Sequence, residues 1–429
     1  MLDTSADQRR LTSCVDAGVH ERIAEYAAST PWAIAVRSGE TELTYRQLDS
    51  MAADLAVRLH AAGVRRDRTV GVLLDRSAEF VVAVLAVLRA GGCYVPLDPG
   101  CPDGLLDSMI RAADLSLAVT RAELRPRLDG RPVTLLLADE GDGGGARGSA
   151  RRGVLRTVST HPFDLACVLF TPDPPAAPHA VAVRHCGLTR LVSDPACARL
   201  DQSQILAACA EPWDGASLLE IWGVLANGGT AALAPAGPLT APRLARFLRD
   251  EHATCAVVTA DLFDDLVATC LDGLGGLEQL VVTDGSMKPR SASRFLRAHP
   301  RCRLVNGYGP TEVTTFAVCR TVTARDARGP RIPIGRPTSG TSVEILDEDL
   351  APVPPGTPGR LYAGGTGLAR GYLRDAGLTA ERFVPDPWGR SDRLYATGDL
   401  ALYRPDGAID LLGPAGLPSD QARPDRARP

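Results

Sequence analysis

Three short segments hold the residue types from which a binding or catalytic site can be built. The first is NGYGPTE, residues 306–312. Gly307 and Gly309 let the backbone turn sharply and approach a ligand closely. Between them Tyr308 offers a flat aromatic face. Thr311 adds a hydroxyl and Glu312 a carboxylate. The second is YATGDL, residues 395–400, which sets Asp399 after a glycine. A carboxylate there can accept from two neighbouring hydroxyls at once; a turn aspartate is the plainer alternative. The third, LFTPDPPAAPHAV at 169–181, has the opposite character. Between Thr171 and Val181 it has four prolines and no glycine, serine or lysine. Proline has no N–H and a fixed φ, and Asp173 adds a negative charge. His185, after the apolar run AVAV, is a further candidate; a buried histidine bonded to backbone is an equally good reading.

The elements around these segments alternate. QLDSMAADLAVRLHAAGV (47–64) has Leu48, Met51, Leu55 and Leu59 on one helical stripe, with Gly63 as a stop. TVGVLL is a buried strand, SAEFVVAVLAVLRAGG a helix ending at glycine, and CYVPLDP a strand and turn. SLAVT and VTLLLA are further strands. The rhythm returns with QILAACA, SLLEIWGVLANGG, TAALAP, APRLARFLRDEH, CAVVTA, LEQLVVTDG and CRLVNGYG. Such β-α-β alternation implies mostly parallel sheets with helices on their faces. From about residue 330 long helices stop, and SVEILDEDLAPVPPGTPGRLYAGG reads as hairpins. The expected fold is therefore α/β, with two mostly parallel α/β sheet subdomains to about 329 and a small β-rich, barrel-like subdomain over about 330–413. The glycine-rich stretch 139–153 reads as a surface loop. Residues 1–17 read as an N-terminal tail and 414–429 as a disordered one.

Composition narrows the function. The chain has 429 residues, 45% of them apolar, and a formal net charge of −4. That balance offers no broad basic field for nucleic acid. The only lysine is Lys288, so a mechanism needing lysine elsewhere is excluded. The eleven cysteines show no metal spacing and sit mostly in apolar runs, which reads as buried thiols, no stable metal and a reducing, cytoplasmic setting. No apolar run approaches the roughly 20 residues of a membrane span.

In order along the chain, LTYRQL (43–48), LRAGGCYVPLDP (88–99), VRHCGL (183–188), LLEIWGVLANGGT (218–230), NGYGPTE, IPIGRP (332–337), GLARGYL (367–373) and YATGDL resemble the amino-acid-activating adenylation domains of nonribosomal peptide synthetases, within the acyl-adenylate-forming family. The resemblance covers residues 18–413. It implies a large N-terminal lobe of two α/β sheets and a β-barrel, working beneath a mobile small lobe. It implies ATP-dependent conversion of a carboxylic acid to acyl-AMP, followed by transfer to a carrier-protein thiol. By the same resemblance Gly307, Tyr308, Gly309 and Thr311 form a nucleotide floor, Tyr308 stacking on purine and Thr311 reaching phosphate. Glu312 would serve Mg²⁺, and Asp399 the ribose hydroxyls.

Against that pattern three features depart. The family's phosphate loop, about T-S-G-[ST]-T-G-x-P-K-G, works through backbone N–H groups, hydroxyls and a terminal cation. Here Thr171 is kept, Pro172, Asp173, Pro174, Pro175 and Ala176 replace the working residues, and His179 replaces the lysine. After LLGPAGLP the family continues with G-R-x-D and a small lobe carrying a catalytic lysine; the expectation here is that this lobe is absent. In the substrate pocket, the anchor EIW places Gly215 where the family has an ammonium-binding aspartate. Asp214 stands one residue early, and a one-residue bulge would return it. Asp284, Thr315 and Phe316 complete the candidate pocket by motif position.

The expected function is that of an adenylation-domain homologue whose ancestral ATP-dependent activation of an amino or other carboxylic acid is lost or strongly impaired. AMP or adenosine is a better ligand than ATP·Mg²⁺ on this reading. Half of a split enzyme, completed by a separate small lobe, is one alternative. A non-catalytic docking partner of a synthetase or carrier protein is another. No nucleic acid or membrane partner is expected.

Overall fold

The computed structural model describes residues 18–138, 158, 160–171, 178–194, 196–389 and 391–415. The expectations for Pro172, Asp173, Pro174, Pro175 and Ala176, for 139–153, and for the tails 1–17 and 416–429 lie outside these.

Two parallel-cored sheets and one antiparallel sheet make up the molecule. In the six-stranded sheet the spatial order is Thr134–Leu137, Leu117–Thr120, Thr69–Leu73, Cys93–Leu97, Leu165–Thr171 and His179–Arg184. All pairs are parallel except the last, where Thr171 faces His179 in register. Strand Cys93–Leu97 is buried at every position, which is why it reads as a continuous apolar run rather than an alternating one. The nine-stranded sheet runs Arg336–Pro337, Val318–Thr321, Arg303–Tyr308, Gln279–Val282, Cys255–Val258, Ile205–Ala208, Thr230–Leu233, Ile34–Ser38 and Thr41–Thr44. Its interior pairs are parallel and its edge strands antiparallel. The third sheet is wholly antiparallel, with Thr341–Leu346, Gly359–Gly365, Arg393–Tyr403, Phe383–Pro385 and Ile409–Pro414. These are the two α/β sheets and the β-rich unit expected from the sequence. Pro414 lies inside the last strand.

Local chemistry sets the helix ends. Helix Tyr45–Ala61 starts earlier than its apolar stripe, because Thr44 and Gln47 cap each other reciprocally. The stripe itself needs correction. Leu48, Leu55 and Leu59 are buried, but Met51 is 44% exposed and Ala52 takes the inward position. Helix Ala78–Arg89 begins at Ser77, whose hydroxyl accepts from the Phe80 N–H. It buries ten of its twelve residues between the sheets; each large apolar side chain so buried contributes about 1.5–3 kcal/mol. Trp222 donates its indole N–H to the Tyr94 hydroxyl at 2.7 Å, joining the helical segment after Gly215 to the six-stranded sheet.

The cysteine expectation also needs correction. Cys197 and Cys319 form a disulfide, with Cα atoms 5.7 Å apart across a sequence separation of 122. Folding brings them together, so no spacing rule announces them. The other described cysteines are thiols, most of them buried as expected. Among the described residues no helix is long and apolar enough to cross a membrane.

Candidate functional site

The candidate site gathers where strand Arg303–Tyr308 ends. Chain reversal there is tight: Pro310 leads into a short 3₁₀ turn, Thr311–Val313, and then Thr314 and Thr315 both adopt left-handed backbone, φ 54° and 71°. Two consecutive β-branched residues in that region are strained. Arg190 holds them in place. Its buried guanidinium donates to the carbonyls of Val313, Thr314 and Phe316 and to the Thr338 hydroxyl at 2.8–3.1 Å. Burial lowers its pKa to about 10, so it remains a cation at neutral pH. Thr314 adds a hydrogen bond to the Gly367 carbonyl at 2.7 Å.

This geometry gives the two glycines a different reason from the one read in sequence. A Cβ on Gly307 would lie 2.6 Å from the Phe316 ring, and one on Gly309 would lie 2.4 Å from the Thr315 carbonyl oxygen. Both are required by the chain's own return, whatever ligand lies above it. Phe316 is consequently a buried wall, 1% exposed.

Tyr308 and Asp399, 91 residues apart, meet. The Tyr308 hydroxyl donates to Asp399 Oδ2 at 2.6 Å, linking the nine-stranded sheet to the antiparallel one. Tyr308 is largely buried, and a Cβ on Gly285 would sit 3.2 Å from its ring. Glu312 is buried as well, with Oε1 accepting from the Tyr372 hydroxyl at 2.7 Å. Tyr372 in turn lies 3.2 Å from the Tyr395 hydroxyl. Burial first, and the Glu312 carboxylate second, push both phenols well above their ordinary range, so they stay protonated donors. The His179 ring stands 5.4 Å from that of Tyr372. Tyr372 thus stands between His179 and Glu312 in this chain of contacts. Among the described residues no group of three or more His, Cys, Asp or Glu is arranged for a metal. A single carboxylate nevertheless suits Mg²⁺, which keeps water and takes phosphate oxygens as its other ligands.

The substrate-pocket candidates divide. Gly215 and Thr315 come together, Thr315 donating to the Gly215 carbonyl at 2.7 Å, and the nucleotide candidate Thr311 is next to them, its hydroxyl 3.3 Å from where a Cβ on Gly215 would lie. Asp214 is exposed and instead accepts from the Ala216 N–H at 3.0 Å, in a local turn. The geometry gives no bulge returning it toward Thr311 and Thr315. Asp284 is exposed with φ 72°, just beyond strand Gln279–Val282. His185 is buried, its ring 5.7 Å from that of His20.

Three polar residues that sequence reasoning passed over organise the surroundings. One is Arg190. Glu220 lies in a π-helical turn, Leu219–Gly223, a distortion frequent at functional sites. Its Oε2 accepts from the N–H groups of Cys209 and Ala210 at 2.9 and 2.8 Å, and burial raises its pKa to about 8. Arg76 donates to the carbonyls of Cys209, Ala210, Ala234 and Pro235. Together they fix the chain leaving strands Ile205–Ala208 and Thr230–Leu233. The available signal was a lone charge inside an apolar stretch, as in LLEIW and LTRLV.

The family model described as AMP-binding enzyme matches residues 23–373. A linear gramicidin synthase of Brevibacillus parabrevis is 37% identical over 93% of the chain, and a surfactin synthase of Bacillus subtilis (strain 168) is 35% identical over 92%. The chain spans only 5% and 11% of the lengths of those two proteins. Among solved structures, an NRPS protein containing adenylation and PCP domains, bound to a vinylsulfonamide inhibitor, aligns with TM-score 0.84 and 32% identity. The alignment covers 93% of this chain and 68% of that one. The Klebsiella oxytoca NpsA N-terminal subdomain in complex with 3-hydroxybenzoyl-AMSN aligns with TM-score 0.81 and 25% identity, covering 92% and 99%.

Proposed function

This chain belongs to the AMP-binding enzyme family, as the large lobe of a nonribosomal-peptide-synthetase adenylation domain, and on that premise we propose that it binds the adenosine part of a nucleotide without turning over ATP. Family membership carries ATP-dependent acyl-adenylate formation as the ancestral reaction. What supports the finer reading is the contrast between two motifs, one kept and one altered. Tyr308 and Asp399 are joined at 2.6 Å, keeping an aromatic ring and a ribose-competent carboxylate together. In sequence, by contrast, the chain between Thr171 and His179 is Pro-Asp-Pro-Pro-Ala-Ala-Pro. Its prolines contribute no N–H, its aspartate repels a triphosphate, and no hydroxyl or lysine compensates. Glu312 would hold Mg²⁺, which supplies charge neutralisation to phosphate oxygens when bound. The acyl pocket on this reading comprises Gly215, Thr315 and Phe316, with Thr311 beside it on the phosphate side. Gly215 leaves it without a carboxylate for a substrate ammonium, which favours a carboxylic acid not held through an amine. A carrier thiol or a synthetase module is the corresponding partner.

Calorimetry with adenosine, AMP and ATP·Mg²⁺, beside pyrophosphate exchange with and without an added small lobe, tests the reading. ATP should bind no more tightly than AMP, and exchange should be absent in both mixtures. Mg²⁺-dependent ATP binding tighter than AMP would overturn it, and so would exchange that appears once the small lobe is added. Restoring a glycine, serine and threonine loop with His179→Lys should tighten ATP binding without restoring turnover, since binding alone does not lower a chemical barrier.

A further inference from the structure

We infer that the open groove between helix Pro289–Ala298 and the turn Asp326–Arg328 is a docking surface for an acidic, carboxylate-rich segment of a partner protein. The groove has a volume of about 620 Å³ and is lined by Lys288, Arg290, Ser293 and Arg297 on one side and by Ala327, Gly329 and Pro330 on the other. None of the nucleotide or acyl candidates lines it.

Its charge is out of proportion to the molecule. Its lining residues include three cations, Lys288, Arg290 and Arg297, and no aspartate or glutamate, in a chain whose formal net charge is −4. Arg325 and Arg328, which flank the lining residue Ala327 in sequence, are exposed. The acid between them, Asp326, is buried and already held by Arg320 at 2.8 Å. Lys288 pairs with Asp264 at 2.8 Å. Among the described residues Arg290, Arg297, Arg325 and Arg328 make no ion pair or side-chain hydrogen bond. Clustered like charges oppose the compact state, and a partner of opposite charge relieves that repulsion.

The arrangement selects among anions. A small phosphate needs donors converging on one point, often at a backbone nest. Here the guanidinium groups are exposed and spread along two elements. Each presents a planar fork that pairs with a carboxylate through two parallel hydrogen bonds. A row of Asp and Glu side chains meets several at once. The patch is too confined to track a nucleic-acid backbone, and the chain's overall negative charge opposes one. This surface is independent of whether the adenylation chemistry persists.

Fluorescence anisotropy with a labelled Asp/Glu-rich peptide tests the inference, with its Asn/Gln counterpart as control. The acidic peptide should bind at low salt, and affinity should fall steeply as salt is raised, because the contacts are exposed. The combined change Arg290→Glu, Arg297→Glu and Arg328→Glu should weaken binding at least about tenfold, since like charges then face each other across the contact. Arg246→Glu, on another helix, should leave binding unchanged. If charge reversal lowers the melting temperature, the corresponding Gln substitutions provide the same comparison. Equal binding of the acidic and neutral peptides, unchanged affinity in both triple variants, or full displacement by equimolar pyrophosphate would overturn it; the last would identify a small-anion site.

Discussion

At the scale of single residues, the sequence names the right side chains more often than their reasons. Tyr308 and Asp399 were legible one at a time, each inside a motif. Their hydrogen bond was not, because 91 residues separate them and only the packing of two sheets brings them together. Gly307 and Gly309 were legible as necessary glycines, but the atoms excluding a Cβ belong to Phe316 and to the returning backbone. His185 shows the opposite limit. It stands in a well-kept motif, yet the structure buries it beside His20, with both ring nitrogens of His20 and Nδ1 of His185 lacking hydrogen-bond partners among the described residues. Burial lowers their pKa values to about 3 and about 4. Between pH 6.5 and 4 the unfolded histidines take up protons that the folded ones refuse, so the unfolded state gains. Stability should therefore be complete above about pH 6.5 and fall as pH drops towards 4, by on the order of 3 kcal/mol for each histidine. Urea unfolding from pH 4 to 7 measures this. The double variant His20→Leu/His185→Leu should flatten that limb; an unchanged slope would mean that other groups cause it.

At the scale of elements, periodicity was sufficient for the parallel strands and their helices, since those are buried on both faces and advertise it as apolar runs. Boundaries were less legible. The start of helix Tyr45–Ala61 is set by a Thr44–Gln47 cap rather than by its stripe, and Met51 fell off that stripe because Ala52 fills the contact. The loop from Pro310 to Phe316 was beyond reach altogether. No sequence rule places two threonines in left-handed backbone, and none predicts that Arg190, 123–126 residues away, will satisfy three of its carbonyls. That dependence has a measurable consequence. Arg190→Met keeps most of the side-chain volume but strands several buried acceptors. Each unsatisfied buried polar group costs about 1–3 kcal/mol, so the variant should lose on the order of 3–5 kcal/mol. Arg190→Lys should recover only part, because one ammonium cannot span all the carbonyls. A loss under about 1 kcal/mol in denaturant titration, where most exposed surface changes fall, would show that the strained loop is held by its own packing.

The whole molecule was legible as an architecture, because local patterns fix the order of elements and alternating order constrains topology. What stayed hidden were contacts created only when distant segments close on one another, and the Cys197–Cys319 disulfide is the clearest of these. It ties the segment after helix His185–Ser193 to strand Val318–Thr321 and encloses most of the nine-stranded sheet, from Ile205–Ala208 to Val318–Thr321. In register, Cys319 stands opposite Gly307, so the cross-link also anchors the strand bearing Tyr308. Cross-linking a loop of this length removes freedom chiefly from the unfolded chain, worth about 4–5 kcal/mol on the loop-entropy account. The non-reduced, unfolded protein should then titrate nine thiols of its eleven cysteines, and the reduced protein all eleven. Reduction should lower the urea midpoint, whereas Cys197→Ala/Cys319→Ala should match the reduced protein and no longer respond to reductant. The same change should loosen adenosine binding if the disulfide holds Tyr308 in place, a separate readout from stability. Eleven thiols without reduction would show that Cys197 and Cys319 are merely neighbours, and the stability of the nine-stranded sheet would then rest on its packing alone.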